Sequence, residues 1–369
     1  MDQTTHRMMM GAGGAGGAEP NLYAWGQNQF GQLGLGDTTY RSSPVQVGAL
    51  TTWSNVACGS RHTIATKTDG TLWAWGENFV AQLGLGDTTN RSSPVQVGAL
   101  TTWSNVAGGY FHTIATKTDG TLWAWGYNGF GQLGLGDTTY RLSPVQVGAL
   151  TTWSNVAGGN NHTIATKTDG TLWTWGRNNF GQLGLGNTTS RSSPVQVGAL
   201  TTWSKVACGY NHTIATKTDG TLWTWGSNNY GQLGLGDTTS RSSPVQVGSL
   251  TTWSNVACGY AHTIATKTDG TLWAWGYNGF GQLGLGNTTS RSSPVQVGAL
   301  TTWSNVAGGN AHTIATKTDG TLWAWGRNNV GQLGLGDRTG RSSPLQVGAL
   351  TTWSKVACGS RHTIATIEE

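Results

Sequence analysis

The chain has 369 residues, 58 of them glycine and 20 tryptophan, with only 10% charged and a formal net charge of +5. Such a composition excludes an acidic or polyampholyte disordered chain and a helix-rich domain, and fits turns and aromatic strands. The positive charge is scattered: most repeats carry one Lys, one Arg and about two Asp that cancel, so no basic stripe is present and no specific nucleic-acid binding is expected.

Residues 1–20, MDQTTHRMMMGAGGAGGAEP, are too short and too weakly apolar for a signal-peptide core or a membrane span, and are read as a flexible Gly/Met-rich arm. Without such signals the expected setting is the cytoplasm, a virion or another assembly that the arm would help to build. From Asn21 onward one fifty-residue unit recurs, with copies beginning at Asn21, Thr71, Thr121, Thr171, Thr221, Thr271 and Thr321. A fixed period outweighs length as a guide to domains, so residues 21–369 form one repeat domain.

Each unit holds four short runs rich in Val, Ile, Thr and Trp, separated by turn residues. They predict four strands: A (WSNVAGG), B (HTIATKT), C (TLWAWG) and D (SPVQVG). Asp-Gly between B and C marks a two-residue hairpin that sets Thr66 opposite Leu72. A Gly-Gly or Cys-Gly step marks the A–B turn. Between C and D lies a long segment rich in Gly, Asn and Gln, and Pro94 with its equivalents opens strand D at a sheet edge. Four strands per fifty Trp-rich residues predict an all-β, seven-bladed β-propeller, A innermost and D outermost. Since the chain opens on strand C at Leu22 and closes on strand B at Ile367, one composite blade from both chain ends must close the ring. That seam is expected to be its weakest joint.

The motifs WAWGxNxxGQLGLGD, SPxxV and VAxGxxHTIA resemble the regulator of chromosome condensation repeat over residues 21–369, with Ala81 replacing one Gly. This resemblance implies a seven-bladed propeller. It does not imply one function, because such propellers serve as nucleotide exchange factors, inhibitors, photoreceptors, ligase appendages and surface proteins. An exchange-factor role is disfavoured by the lack of an inserted wedge, and a light-sensing role by Ser60 and Ser360 where that type carries Trp.

Motifs that suggest chemistry have structural readings. His62, His112, His162, His212, His262, His312 and His362 recur one per blade, too far apart to share a metal ion, and are expected to hydrogen-bond neighbouring turns. GQLGLGD lacks the Lys-Ser or Lys-Thr of a phosphate loop, so its glycines are read as supplying unusual backbone angles. Asp37 and Arg41 with their equivalents close the C–D loop, and Asn187 and Asn287 show that the charge is dispensable. Cys58, Cys208, Cys258 and Cys358 share one position and are read as free, buried small residues, the other arrangement being cross-repeat pairing of Cys358 with Cys58 and Cys208 with Cys258. The sequons at Asn90, Asn161, Asn187, Asn211 and Asn287 are read as silent. No nucleophile, metal site or cofactor site is identified, and no enzyme activity is expected.

Differences among the copies concentrate in the A–B turn and in the loop after strand C, which leave the ring on one face because strand direction alternates. The variable residues include Arg61, Tyr110, Phe111, Tyr127, Arg177, Tyr210, Tyr260, Tyr277, Arg327 and Arg361. Variation confined to one face, in a palette of Tyr, Asn, Ser, Gly and Arg, is what a binding surface would show, although drift at exposed sites gives the same pattern. Arg327, Arg361 and Arg61 form an expected basic arc beside an aromatic arc begun by Tyr110, Phe111 and Tyr127. The function expected is a non-catalytic binding propeller for a protein or glycan partner of anionic character. A structural or receptor-binding component of a virion or cell surface, docked by the arm, is the alternative.

Overall fold

A computed structural model describes residues 21–49 and 52–368. The arm at 1–20 lies outside the described residues. Seven four-stranded antiparallel sheets form, six in the chain order A-B-C-D. The remaining sheet joins the chain ends: strands C (Asn21–Gly26) and D (Arg41–Gln46) pair with A (Trp353–Cys358) and B (His362–Ile367). We call it blade 1, and number blades 2 to 7 from those whose strand A begins at Trp53, Trp103, Trp153, Trp203, Trp253 and Trp303. Each inner strand contacts the inner strand of the next blade, and Trp353–Cys358 returns to Trp53–Cys58, so the ring closes.

Register follows the sequence with two local corrections. Thr66 lies opposite Leu72 as expected. The hairpin has three loop residues, because Lys67 N bonds Thr71 O at 3.0 Å and Gly70 N bonds Lys67 O at 2.9 Å. Gly70 at φ +76° supplies the left-handed residue that such a loop requires, and Asp69 braces it by accepting from the Thr71 amide and hydroxyl. Strand D starts at Arg91, three residues before Pro94. Arg91 pairs with Gly76 but Val95 with Ala74, so Ser92, Ser93 and Pro94 form an irregularity where a missing N–H is tolerated.

The hydrophobic core sits between blades. At the joint of blades 2 and 3, Ile64, Leu72, Ala74, Leu83 and Val97 pack on Trp103, Ala115 and Trp125, all nearly inaccessible to solvent. Trp103 meets Trp123 and Trp125 edge to face, with centroids 6.1 and 6.0 Å apart. The Lys117 ammonium lies 3.6 Å from the centre of the Trp123 ring, a cation–π contact. In blade 1, Tyr23 and Ile367 stand where other blades place Trp and Lys, so that clamp is missing at the seam, although strands B and C there pair in register from Asn21↔Ile367 to Gly26↔His362.

The seven histidines form a second, polar joint. Each Nε2 bonds a threonine hydroxyl of the next blade at 3.0–3.2 Å, a strand residue and not the turn that was expected. Each of those threonines donates its single hydroxyl hydrogen to a glutamine carbonyl, as Thr63 does to Gln32. The histidine must therefore donate, which fixes the proton on Nε2 and leaves Nδ1 bare.

Candidate binding face

The variable positions adjoin one another on one face, although several of them, among them Gln27, Ser60, Glu77, Asn160 and Ala261, are buried. In every blade the residue after strand C donates its amide to the carbonyl of the variable A–B turn residue: Gln27 to Arg361, Glu77 to Arg61, Tyr127 to Phe111, and so on round the ring. The two clusters that look separate in sequence are thus hydrogen-bonded neighbours. Toward the axis, the A–B turns are linked blade to blade by seven backbone hydrogen bonds of 3.0–3.3 Å, from Ser60→Tyr110 round to Ser360→Ser60. They rim one mouth of the central channel. At the far end of strand A a matching girdle runs through side chains, Asn55 to Ser104 O through to Lys355 to Ser54 O.

The C–D loop carries the surface outward. Gly31, Gly34 and Gly36 adopt φ of +79°, +73° and +80°, the expected left-handed geometry. A Cβ on Gly34 would fall 2.8 Å from Trp75 Nε1, so close approach to the next blade also demands glycine. Buried Asn28 pins the loop from within by donating to Asp37 and accepting from the Leu33 amide. Ala81 is the only non-glycine residue with positive φ among those described, at 64°. In the same register Gly31 faces Ser92, so Ala81 faces Leu142 where the other six copies have Ser, and the two departures from the repeat meet across one joint.

The aromatic residues come together more closely than blade order suggests. Centroids run Phe130–Tyr127 6.4 Å, Tyr127–Phe111 6.5 Å, Phe111–Tyr110 4.6 Å, Tyr110–Tyr210 5.6 Å and Tyr210–Tyr260 4.1 Å. Tyr110 and Tyr210 belong to non-adjacent blades, so this string crosses the mouth of the channel. Tyr277 forms a second group with Tyr230 at 4.8 Å and Phe280 at 6.3 Å. All exposed aromatic side chains among the described residues, namely Phe79, Tyr140, Tyr230, Tyr260 and Phe280, lie on this face.

The arginines divide into two kinds. Arg41, Arg91, Arg141, Arg241 and Arg341 each pair with the loop Asp four residues earlier at 2.5–2.6 Å. Arg61, the third arginine of the expected basic arc, bonds Glu77 at 3.3 Å and lies 5.2 Å from the Phe30 ring centre. Glu77 is only 3% exposed. Burial raises its carboxyl above the usual range against the opposing pull of Arg61, so Arg61 is held as a structural counter-ion. Arg177 and Arg327 stack on Phe130 and Phe280 at 4.9 and 4.8 Å. Burial and the nearby Arg361 charge lower Arg327 below the usual arginine range. Those six ion pairs engage every carboxylate of this face, leaving Arg177, Arg191, Arg291, Arg327, Arg338 and Arg361 without a carboxylate partner among the described residues, hence an excess of six positive charges. On the opposite face, six lysines stack on Trp rings near Asp residues of their own turns.

The cysteines are free. They are half-buried and line the channel wall, where sequence reasoning put them fully inside. No group of three or more His, Cys, Asp or Glu among the described residues could hold a metal ion, and no helix is long and apolar enough to cross a membrane.

Residues 14–253 and 204–369 match the RCC1-like domain. A 52-residue stretch is 46% identical to the ultraviolet-B receptor UVR8 of Arabidopsis thaliana, covering 14% of this chain and 12% of that protein. In fold, the chain is similar to human WBSCR16 at a TM-score of 0.86 and 24% identity, covering 95% of this chain and 99% of that one. It is similar to Prp20p of Saccharomyces cerevisiae at a TM-score of 0.85 and 21% identity, covering 95% and 92%.

Proposed function

The chain belongs to the RCC1-like domain family, and from that premise we propose that it is a non-catalytic binding propeller that takes an acidic protein surface on its variable loop face. The observation that carries this reading is the coincidence on one face of sequence variation with, among the described residues, every exposed aromatic side chain and six arginines that have no carboxylate partner. Planar guanidinium groups with free donors suit carboxylates, and adjoining tyrosines supply rigid contact area at low entropic cost. Prp20p, which shares the fold, is described by its binding to Gsp1p and histones, which supports a protein as the class of partner.

Arg61 is a poor probe of this reading, since its loss strands a buried carboxylate. The test is therefore Arg327→Ala with Arg361→Ala, set against Lys205→Ala on strand A. Proteins retained by the immobilised wild-type chain are compared with those retained by each variant, at low and high salt. Salt-sensitive partners should be lost from the arginine variant and kept by the lysine variant. Equal recovery on all three proteins would refute the proposal.

A further inference from the structure

Two joints of the ring are built from nearly the same loop residues and differ at one side chain. Between blades 3 and 4, Gln132 Oε1 accepts from the Phe130 amide at 2.9 Å, and Gln132 Nε2 donates to Asn161 Oδ1 at 3.2 Å. The Arg177 amide bonds Asn161 O at 2.8 Å, and the Arg177 guanidinium lies 4.9 Å from the Phe130 ring centre. Between blades 6 and 7 the same frame returns. Gln282 Oε1 accepts from the Phe280 amide at 2.9 Å, the Arg327 amide bonds Ala311 O at 2.8 Å, and the Arg327 guanidinium lies 4.8 Å from the Phe280 ring centre. Ala311 stands where Asn161 does. Because its oxygen is fixed in the same way, the Gln282 amide nitrogen is aimed at the space that an asparagine side chain would fill. It has no hydrogen-bond partner among the described residues, and Gln282 is wholly buried. An orphaned buried donor costs stability until an acceptor is supplied.

We propose that the joint of blades 6 and 7 is a carboxylate pocket, in which one carboxylate oxygen accepts from Gln282 Nε2 in the space left by Ala311 and Arg327 holds the charge. The carboxamide that Ala311 lacks is planar and matches a carboxylate in size, and the amide and guanidinium at this joint are donors only. Ala311 is 7% exposed and Phe280 42%, so the vacated space lies just beneath the variable face. Burial and the neighbouring Arg361 charge both lower Arg327, and an anion relieves the repulsion between the two arginines. Other joints answer the same glutamine differently. Gln232 also faces an alanine, Ala261, but donates to Ser227 Oγ at 3.5 Å. At the place of Ser227 the pocket has Tyr277, whose hydroxyl lies over Gly279, 2.2 Å from where a Cβ would stand. Gln32 and Gln182 also lack partners, but beside them Arg61 is neutralised by Glu77 and Asn211 brings an unpaired oxygen. The pocket rests on the reading of this face as a surface for an acidic protein, and it names the group recognised.

The test replaces sodium chloride stepwise by sodium acetate at constant ionic strength around the folded full-length chain, and follows the melting temperature and the glutamine side-chain amide signals of 15N-labelled protein. The control is Ala311→Asn, which introduces the residue that the joint of blades 3 and 4 already carries, so folding should be preserved. Acetate should raise the melting temperature of the wild-type chain in a saturable way and shift one glutamine amide pair. Both effects should be lost in Ala311→Asn, which without acetate should melt higher than wild type because Gln282 regains an acceptor. Acetamide, the neutral isostere, should act more weakly than acetate. Two capped peptides then separate the sources of the group: a response to one whose carboxylate is a Glu side chain assigns an acidic side chain, a response to one whose carboxylate is its C-terminus assigns a chain end, and a response to acetate alone assigns a free small carboxylate. No response to acetate beyond chloride, an equal response to acetamide, or a response that survives Ala311→Asn would each overturn the proposal. Ala311→Asn keeps every arginine of the face, so failure of the pocket leaves salt-sensitive retention of proteins intact, and failure of the acidic-partner reading leaves acetate binding intact.

Discussion

Acid should unfold this ring well above the pH at which its carboxylates titrate, because seven histidines are buried neutral. Burial lowers six of them to about 3 and His212 to about 4, whereas the unfolded chain titrates near 6.5. The folded value is the depressed one, so unfolded chains bind protons first: the stabilisation is complete above pH 6.5 and is lost as pH falls toward the folded values. Each histidine costs about 0.8 kcal/mol at pH 6.0 and about 1.4 at pH 5.5. Seven together remove about 6 and about 10 kcal/mol, which rivals the ~5–15 kcal/mol that holds a typical domain together. Exposed aspartates do not share this window, since they titrate near pH 4 and below. Urea unfolding followed by tryptophan fluorescence at pH 7.5, 6.5 and 6.0 measures the loss, and its slope counts the protons taken up. His162→Gln should reduce that count by one. A loss under about 2 kcal/mol between pH 7.5 and 6.0 would refute the buried, Nε2-protonated network.

Three further outcomes are expected. Arg61→Ala should destabilise the chain by about 1–3 kcal/mol by stranding buried Glu77, and Glu77→Gln in the same chain should restore most of it, as read by chemical denaturation. Ala81→Gly should stabilise by about 1 kcal/mol, because φ 64° costs an L-residue about that much; an unchanged or lower melting temperature would mean that the contact with Leu142 outweighs the strain. Asp37→Asn should shift stability by less than about 1 kcal/mol, since Asn187 and Asn287 still accept from the Thr189 and Thr289 amides and add a bond donated to Leu185 O and Leu285 O; a larger loss would make the exposed ion pair a real brace.

Much of this architecture was legible in the chain. A fifty-residue period with four turn-bounded strands determines blades, and an ending half a blade out of phase determines a composite closure; both follow from short-range pattern and alternating strand direction. The confinement of variation to one face follows from the same alternation. What the turns did not reveal was local hydrogen bonding, as in the three-residue loop at Gly70 and the early start of strand D at Arg91. Only the tertiary structure decided which charges are free. Arg61 and Glu77 are 16 residues apart and look like two surface residues until burial makes one the counter-ion of the other. The same holds for Tyr110 against Tyr210 across the channel mouth and for Ala81 facing Leu142. The Arg61–Glu77 pair forms within one blade, where strand pairing brings two loops together, whereas the other contacts join different blades, where the curvature of the closed ring sets distance.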